Sequence, residues 1–244
     1  MNHPPPDILH RDPDFLAIDK PAGLASVRER WTDDESALVV VWDLLRKEDP
    51  EARKPRVVHR LDKQTSGVIL FATSLPAARA LSRQFREREV EKTYVALVAG
   101  VPPDESGTIE LRLDTDPSRP GHSVVVKKRG KEAITHWRTR EVYAGYSLLE
   151  LRPRTGRTHQ IRVSLRAIGY PILGDHNYGG RAVLLLSELK PGYKRKKGQR
   201  ERPLLGRVGL HAERTAIHHP ITGERVDIEA PLPKDLRLCL KYLA

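Results

Sequence analysis

The chain has 244 residues, of which 43 are lysine or arginine and 32 are aspartate or glutamate, so its formal net charge is +11. Hydrophobic residues make up 39% of the sequence, enough for a sizeable core, and no apolar run reaches the roughly 20 residues of a membrane-spanning helix. The single cysteine, Cys239, excludes intramolecular disulfides and metal sites built from several thiolates, and it indicates a reducing, cytoplasmic setting. The excess of positive charge favours a polyanionic partner, but a soluble basic protein without one has the same composition.

The first half of the chain predicts two short strands followed by two helices. Residues 1–6 contain three consecutive prolines and are predicted to form a disordered leader. Ser36 is a residue type that caps helices. Arg79, Arg83 and Arg86 share one helix face, a pattern typical of a solvated surface and also compatible with a binding face. The predicted strands cover residues 8–10 and 15–18, and the predicted helices cover residues 36–47 and 76–89.

From residue 93 onward the alternation of apolar and polar residues is typical of strands. Residues 123–126 and 133–142 are predicted to form a hairpin whose basic tip is residues 127–131. Residues 181–207 carry little pattern and are interpreted as an insert. Many strands with few helices, and no regular βαβ alternation, predict an α+β fold. The other predicted elements are strands at 94–98, 108–113, 146–151, 210–217 and 225–229, and helices at 158–168 and from residue 235.

Two segments carry candidate chemistry. In residues 57–70 a charged, turn-rich loop runs into an apolar strand, which would place His59, Arg60 and Asp62 at the rim of a sheet. An ordinary arginine–aspartate surface pair beside a turn explains the same pattern. In residues 152–162 four arginines accompany the start of a helix, which favours phosphate binding, although a solvated helix cap is an equal alternative.

Taken together, short motifs along the chain resemble the RluA-type family of RNA pseudouridine synthases. The resemblance covers residues 7–231 in the family's order. It implies an α+β domain around a bent, mainly antiparallel mixed sheet, with helices packed outside and a central active-site cleft. The motifs are 20–24 (KPAGL), 59–67 (HRLDKQTSG), 92–94 (KTY), 155–162 (TGRTHQIR), 174–175 (GD) and 210–212 (LHA).

The resemblance implies that uridine in a structured RNA is isomerised to pseudouridine. The base leaves its stack, the N1–C1′ bond breaks, and the base is rejoined through C5. Asp62 matches the catalytic aspartate, acting either as nucleophile at C1′ or as base at C2′. Arg162 matches the arginine that keeps this carboxylate ionised and oriented. Tyr94 matches the tyrosine that packs on uracil and is the candidate for removing the C5 proton; strand packing alone is the alternative.

The resemblance also implies how RNA is held. Arg60 resembles the residue that enters the position vacated by the base, Leu210 resembles the apolar wall of the uracil pocket, and His59 is expected to stabilise the loop. The hairpin tip and the insert are candidates for the phosphate backbone, although a charged run such as 190–202 is usually a solvated loop. The remaining predicted substrate contacts are Arg157, His159 and Gln160, and the predicted backbone contacts are Lys127, Lys128, Arg129, Lys194, Arg195, Lys196 and Lys197.

The implied mechanism requires no cofactor and no metal. His218 and His219 are adjacent on a predicted strand and so point to opposite faces, which disfavours a metal pair. The expected partner is a stem-loop of ribosomal or transfer RNA, with no membrane and no obligate protein partner, and a monomer is expected. Residues 7–244 are expected to form a single catalytic domain, without the small S4-type RNA-binding domain that precedes it in many relatives.

Two other functional classes compete with an isomerase. A non-catalytic RNA-binding or assembly factor on the same fold would typically have lost Asp62, Tyr94 or Arg162, and all three are present. A metal hydrolase would need a His-x-x-x-His motif or a carboxylate cluster of suitable spacing, and the sequence has neither. The sequence therefore favours an RNA-uridine isomerase.

Overall fold

The computed structural model describes residues 6–28, 35–190, 192–193, 198 and 201–244. Residues 1–5 of the predicted leader lie outside these ranges. The chain divides into two compact units. The first unit contains the described residues up to Thr93 together with Ala212–Pro231, and the second contains Tyr94–His211 together with Leu232–Ala244.

The described elements are mainly strands, as the sequence predicts. The strands are β1 (Ile8–Arg11), β2 (Phe15–Lys20), β3 (Arg56–Val57), β4 (Ser66–Ala72), β5 (Glu91–Ala99), β6 (Ser106–Thr115), β7 (Ser123–Val125), β8 (Lys131–Tyr143), β9 (Tyr146–Pro153), β10 (Leu210–His218) and β11 (Arg225–Glu229). The helices are α1 (Ala37–Glu48), α2 (Leu75–Glu87), α3 (Gln160–Ala167), α4 (Leu186–Leu189) and α5 (Lys234–Leu243), with a 3₁₀ turn at His176–Tyr178. No helix among the described residues is long and apolar enough to cross a membrane.

In the first unit, β4 is the central strand. It lies between β2 and β10, with β1 on the far side of β2 and β11 on the far side of β10. All residues of β4 are buried, which fits its apolar run over residues 67–72. Helix α2 covers this sheet with Ala77 and Leu81, which share a core with Phe15 and Leu70. The hydroxyl of Ser74 caps α2 by accepting the N–H of Ala77 at 3.2 Å.

In the second unit, the strand order is β5, β9, β8, β6, β7, and each adjacent pair is antiparallel. Helix α3 packs on one face, where Ile161 and Leu165 join a core with Leu149. Helix α5 packs on the other face through Leu236, which clusters with Leu97. Strand β5 is therefore buried on both faces, and this explains its continuous apolar run.

The predicted hairpin around residues 127–131 is wrong. Strand β6 lies between the two flanking strands, so β7 and β8 both pair with β6 and not with each other. Alternation reports which face a side chain occupies, but it does not report which strand is the neighbour. The segment at 127–129 still projects as an exposed loop.

Two helix starts differ from prediction. Helix α3 begins at Gln160 rather than at residue 158, because His159 adopts a left-handed conformation with φ of 52°. Ser36 precedes α1, but its side chain makes no capping hydrogen bond. The predicted end of α3 is confirmed, since Gly169 follows with φ of 88°. Within the predicted insert, α4 and a bridge between Leu184 and Leu205 form local structure.

Candidate active site

Asp62 lies in the loop that joins β3 to β4, and hydrogen bonds to the backbone fasten this loop. The carbonyl of Asp62 accepts the N–H of Thr65 at 3.0 Å, which closes a tight turn. The hydroxyl of Ser26 donates to the carbonyl of Leu61 at 2.7 Å and accepts the N–H of the same residue at 2.9 Å. The Asp62 side chain is half-buried. The loop therefore presents a carboxylate from a restrained backbone, which a catalytic constellation requires.

A buried lysine explains why the KPAGL motif accompanies the Asp62 loop. The ammonium of Lys20 is fully buried and donates to the carbonyls of Leu24 at 2.7 Å and Lys63 at 3.3 Å. The N–H of Gly23 donates to the carbonyl of Lys63 at 2.8 Å. A buried charge must be hydrogen-bonded. These hydrogen bonds therefore hold the KPAGL motif next to Lys63, the residue that follows Asp62. Sequence reasoning missed this role, and only membership of the motif pointed to Lys20.

His59 is held by contacts inside the first unit. Its Nε2 accepts the N–H of Leu70 at 3.0 Å, and its ring stacks on Phe85 with centroids 4.4 Å apart. Burial, together with the charge of Lys92, lowers the pKa of His59 to about 3. Burial also lowers the pKa of Lys92 to about 8. A neutral imidazole at this position acts as a hydrogen-bond acceptor. The next side chain, Arg60, is exposed.

Tyr94 is half-buried on β5, opposite Leu151 of β9. Its ring packs against the apolar cluster that includes Ile161 of α3 and Leu210 of β10. Leu210 itself is 3% exposed. The two residues that the resemblance assigns to uracil therefore border the same cluster of the second unit.

Arg162 is held by a carboxylate and an aromatic ring. Its Nε donates to Oδ2 of Asp175 at 2.6 Å, and its Nη2 donates to Oδ1 at 2.8 Å. The two side chains are 5% and 1% exposed. The guanidinium also lies over the ring of Tyr178, 4.9 Å from its centroid. Sequence reasoning identified Arg162 but did not assign Asp175 as its partner; the only signal was the GD motif.

The predicted substrate contact Gln160 is occupied by hydrogen bonds within the protein. Its Oε1 accepts from the hydroxyl of Thr155 at 2.8 Å and from the N–H of Arg157 at 3.0 Å. Its Nε2 donates to the carbonyl of Ile134 and to the hydroxyl of Thr135, both at 3.0 Å. The side chain is 4% exposed. Gln160 therefore shapes the loop that leads into α3.

The neighbouring predicted contacts are more accessible. Arg157 is half-buried, and its Nε donates to the carbonyl of Glu132 at 2.9 Å. His159 is half-buried, with its Nδ1 2.9 Å from the hydroxyl of Tyr178. The hydroxyl of Tyr178 also accepts the N–H of Ser123 at 2.9 Å. Tyr178 thus connects the predicted contact His159 with Arg162.

The predicted contacts with the phosphate backbone fall into two groups. Lys127, Lys128 and Arg129 are exposed on the loop between β7 and β8. Lys194, Arg195, Lys196 and Lys197 lie outside the described residues.

His219 contributes to a hydrogen-bonded cluster with acidic residues. Its Nε2 lies 3.2 Å from Oδ2 of Asp12, and Asp12, Asp14 and His219 are close enough together to hold a metal ion. However, the Nδ1 of His219 accepts the N–H groups of Ile221 and Thr222 at 3.3 and 3.2 Å. The ring proton must therefore sit on Nε2, the atom that a metal would need. This arrangement fits a histidine–aspartate hydrogen bond better than a metal site.

Comparison with known proteins identifies the family. A family model described as RNA pseudouridylate synthase matches residues 14–167. The chain belongs to the family of RNA pseudouridine synthases. It is therefore an isomerase that converts uridine to pseudouridine in RNA.

Similar sequences cover nearly the whole chain. The ribosomal large subunit pseudouridine synthase D of Xanthomonas campestris is 38% identical, with 98% of this chain and 70% of that protein aligned. The protein of the same name from Neisseria meningitidis serogroup B is 36% identical, with coverages of 97% and 61%. An RNA pseudouridine synthase of Chlorobaculum parvum is 39% identical, with coverages of 98% and 74%.

Solved structures agree with the fold. The human RNA pseudouridylate synthase domain containing 4 is 26% identical with a TM-score of 0.74, and 97% of this chain and 92% of that chain are aligned. The human RNA pseudouridylate synthase domain containing 1 is 27% identical with a TM-score of 0.66, and the coverages are 98% and 94%. These structures confirm the predicted α+β class of this synthase.

Proposed function

We propose that this synthase modifies a stem-loop of ribosomal RNA and that Asp62 is its catalytic carboxylate. The restrained loop around Asp62 carries the catalytic part of the proposal, because a reacting carboxylate must be held in position before the substrate arrives. The relatives named for the large ribosomal subunit favour ribosomal RNA over transfer RNA. A cytoplasmic location follows from such a substrate.

The residues divide the chemistry as follows. The ionised carboxylate of Asp62 either bonds to C1′, with N1 of uracil as leaving group, or removes the C2′ proton so that the N1–C1′ bond breaks. The base then turns and C5 bonds to C1′; this breaks the bond between Asp62 and C1′ in the first route and returns the proton to C2′ in the second. The C5 proton is lost to a base, for which Tyr94 is the candidate, and N1 takes up a proton. Arg162, fixed by Asp175, keeps the role that the resemblance assigns to it, which is to orient the catalytic carboxylate.

Substrate recognition is assigned to exposed and half-buried groups. Arg60 is exposed beside the catalytic loop, which suits a side chain that replaces an extruded base. Leu210 borders the uracil, while Arg157 and His159 contact the RNA near the start of α3. His59 and Gln160 hold their loops and contribute indirectly. The predicted backbone contacts are Lys127, Lys128, Arg129, Lys194, Arg195, Lys196 and Lys197.

Residues 7–244 act as one catalytic domain in this proposal, and the protein works as a monomer without an obligate partner. The family match supports the single domain, since residues 14–167 include parts of both compact units. Sedimentation of the protein at micromolar concentration tests the monomer directly.

Replacement of the catalytic carboxylate tests the mechanism. Asp62→Asn is nearly isosteric but cannot act as a base or nucleophile, so we expect pseudouridine formation to vanish while RNA binding persists. Release of tritium from RNA carrying 5-tritiated uridine measures turnover, because the C5 proton is lost. Asp43→Asn on helix α1 is the matched control and should turn over normally. Pseudouridine formation by the Asp62→Asn protein would refute the assignment.

A further inference from the structure

Three arginines converge on one buried glutamate in the second unit. Glu150 of β9 is 3% exposed, and its carboxylate forms ion pairs with arginines of both β8 and β9. Arg138 donates from Nε at 2.9 Å and from Nη2 at 2.8 Å, and Arg140 donates from Nε at 2.9 Å and from Nη2 at 2.7 Å. The Nη2 of Arg152 lies 2.9 Å from Oε1. We call these four residues the Glu150 cluster.

Strand geometry explains how the cluster forms. Side chains two residues apart on a strand share a face, which groups Arg138 with Arg140 and Glu150 with Arg152. The antiparallel register sets Arg138 directly opposite Glu150. A register shift between residues 139 and 141 makes Arg140 the extra residue of a bulge. The cluster lies on the sheet face opposite α3, since Leu149 and the next odd-numbered residues of β9 face that helix.

The cluster has more positive than negative charge. Glu150 balances one of the three guanidinium charges, so the cluster keeps a positive excess. The side chains of Arg138 and Arg152 are accessible, at 59% and 60% exposed. Burial and the arginine hydrogen bonds act on Glu150 in opposite directions, and the hydrogen bonds prevail, so the pKa of Glu150 falls to about 2. The carboxylate therefore stays ionised and keeps the guanidiniums together.

Among the other described ion pairs, Arg83 and Arg86 share Glu87, but that carboxylate is 46% exposed and the contacts are longer, at 3.9 and 3.4 Å. Arg162 pairs with Asp175, and Arg207 pairs with Asp235. On β10 and β11, two arginines share three carboxylates. Arg214 pairs with Asp227 and Glu229, and Arg225 pairs with Asp227 and Glu91.

We propose that the Glu150 cluster is a binding site for the phosphodiester backbone of the substrate RNA, with Arg138 and Arg152 as the phosphate contacts. A guanidinium binds a phosphate oxygen pair through parallel hydrogen bonds, and it binds more tightly when it is already fixed. Glu150 holds the arginine side chains in place, and its single negative charge does not cancel the positive charge of the cluster. The same sheet face also carries Glu110 of β6 and Glu132 of β8, so the positive excess belongs to the cluster and not to the whole face. The inference rests on the proposed function, because it takes RNA to be the substrate.

The test compares two double variants that lower the net charge equally. Arg138→Gln with Arg152→Gln removes the proposed contacts and leaves Arg140 to pair with Glu150. Arg214→Gln with Arg225→Gln is the matched control, since those arginines sit among excess carboxylates. Fluorescence anisotropy with a labelled RNA hairpin that has a uridine-rich loop gives Kd over a range of salt concentrations.

We expect the first variant to bind about tenfold more weakly near 0.1 M salt, and the slope of log K against log salt to become shallower by about 1.4, or about 0.7 per lost contact. The control should retain the slope of the natural protein. If the two variants shift equally, only net charge matters, and the proposal is overturned. No change in Kd or slope overturns it as well.

Folding and function are separated by two further measurements. If the double variant does not unfold cooperatively on heating, Arg152→Gln alone replaces it, because this side chain is 60% exposed and its contact with Glu150 is an ion pair at the surface. Its expected slope change is about 0.7. An unchanged slope for that variant overturns the proposal. If the natural protein releases tritium but the variants bind RNA as it does, only this inference is overturned. If the natural protein releases no tritium, the proposed function itself is overturned.

Discussion

The guanidinium of Arg162 and the carboxylate of Asp175 form a buried ion pair with two hydrogen bonds, at 2.6 and 2.8 Å. Because both side chains are almost fully enclosed, the arginine has a fixed direction before any RNA arrives. A buried guanidinium without this partner would carry a large desolvation penalty. Asp175 thus acts as a positioning residue for Arg162.

Asp175→Asn should destabilise the protein strongly, because it leaves a buried positive charge without its carboxylate. Loss of one partner of such a pair costs about 3–5 kcal/mol, and urea unfolding measures it. The control is Asp235→Asn, which breaks a pair with Arg207 in which the aspartate is 34% exposed. Since solvent screens that pair, its loss should cost roughly 1 kcal/mol. Equal losses in the two variants would contradict this account of Arg162.

Tyr178→Phe should lower the free energy of unfolding by about 1–3 kcal/mol, because the buried N–H of Ser123 loses its acceptor. The aromatic ring below Arg162 is retained, so the loss reports on the hydroxyl. Tyr143→Phe is a suitable comparison, as that hydroxyl contacts Glu141 at an exposed position. Thermal unfolding of both variants provides the measurement. A Tyr178→Phe protein as stable as the Tyr143→Phe protein would disprove the structural role of the hydroxyl.

The sequence patterns predicted where strands and helices lie better than they predicted which strands pair with each other. The alternation of residues 108–113 identified β6, because a strand buried on one face alternates apolar and polar residues. The apolar run of 94–98 identified β5, because a strand buried on both faces is apolar throughout. The pairing of β7 with β6 left no such signature, and the predicted hairpin was wrong. For the site, the motifs pointed to Asp62 and Arg162, and their roles stay predictions.

The supporting residues could not be predicted, because their partners are distant in sequence. From the sequence alone, Lys20 looks like a surface residue. Its partner, the carbonyl of Lys63, is more than forty positions later in the chain. Asp175 is thirteen positions from Arg162 and on another element. Gln160 was predicted to contact substrate, whereas its four hydrogen bonds join the loop before α3 to β8. Such contacts depend on the three-dimensional arrangement and not on local periodicity.

The neutral state of His59 predicts a pH dependence of stability. Its folded pKa of about 3 lies below the ordinary value of 6.5, so below pH 6.5 the unfolded chain takes up a proton that the folded protein does not. Stability should therefore fall as the pH drops from about 6.5 toward 3, and this residue should contribute nothing above that window. Between pH 7 and 5 the expected loss is about 1–2 kcal/mol.

The test for His59 compares variants by urea unfolding at the two pH values. His59→Gln keeps an oxygen that can accept the N–H of Leu70 but does not titrate, so its loss between pH 7 and 5 should be smaller than that of the natural protein. His136→Gln removes an exposed histidine and should leave the loss as it is. If His59→Gln has the same pH dependence as the natural protein, His59 is not held neutral.

Gly67→Ala should unfold or severely destabilise the first unit, because this glycine lets β4 approach β10 directly after the Asp62 loop. Its φ is +112°, and an added Cβ would lie 2.1 Å from the carbonyl oxygen of Ala212. Backbone strain costs about 1–2 kcal/mol, and the backbone clash adds about 1–3 kcal/mol. Gly223→Ala is the matched control, since its φ is +77° but its Cβ would meet open space. We expect that control to lose only the strain contribution in thermal unfolding. A Gly67→Ala protein no less stable than Gly223→Ala would show that the strands can separate without cost, and the loop bearing Asp62 would then not be anchored by this contact.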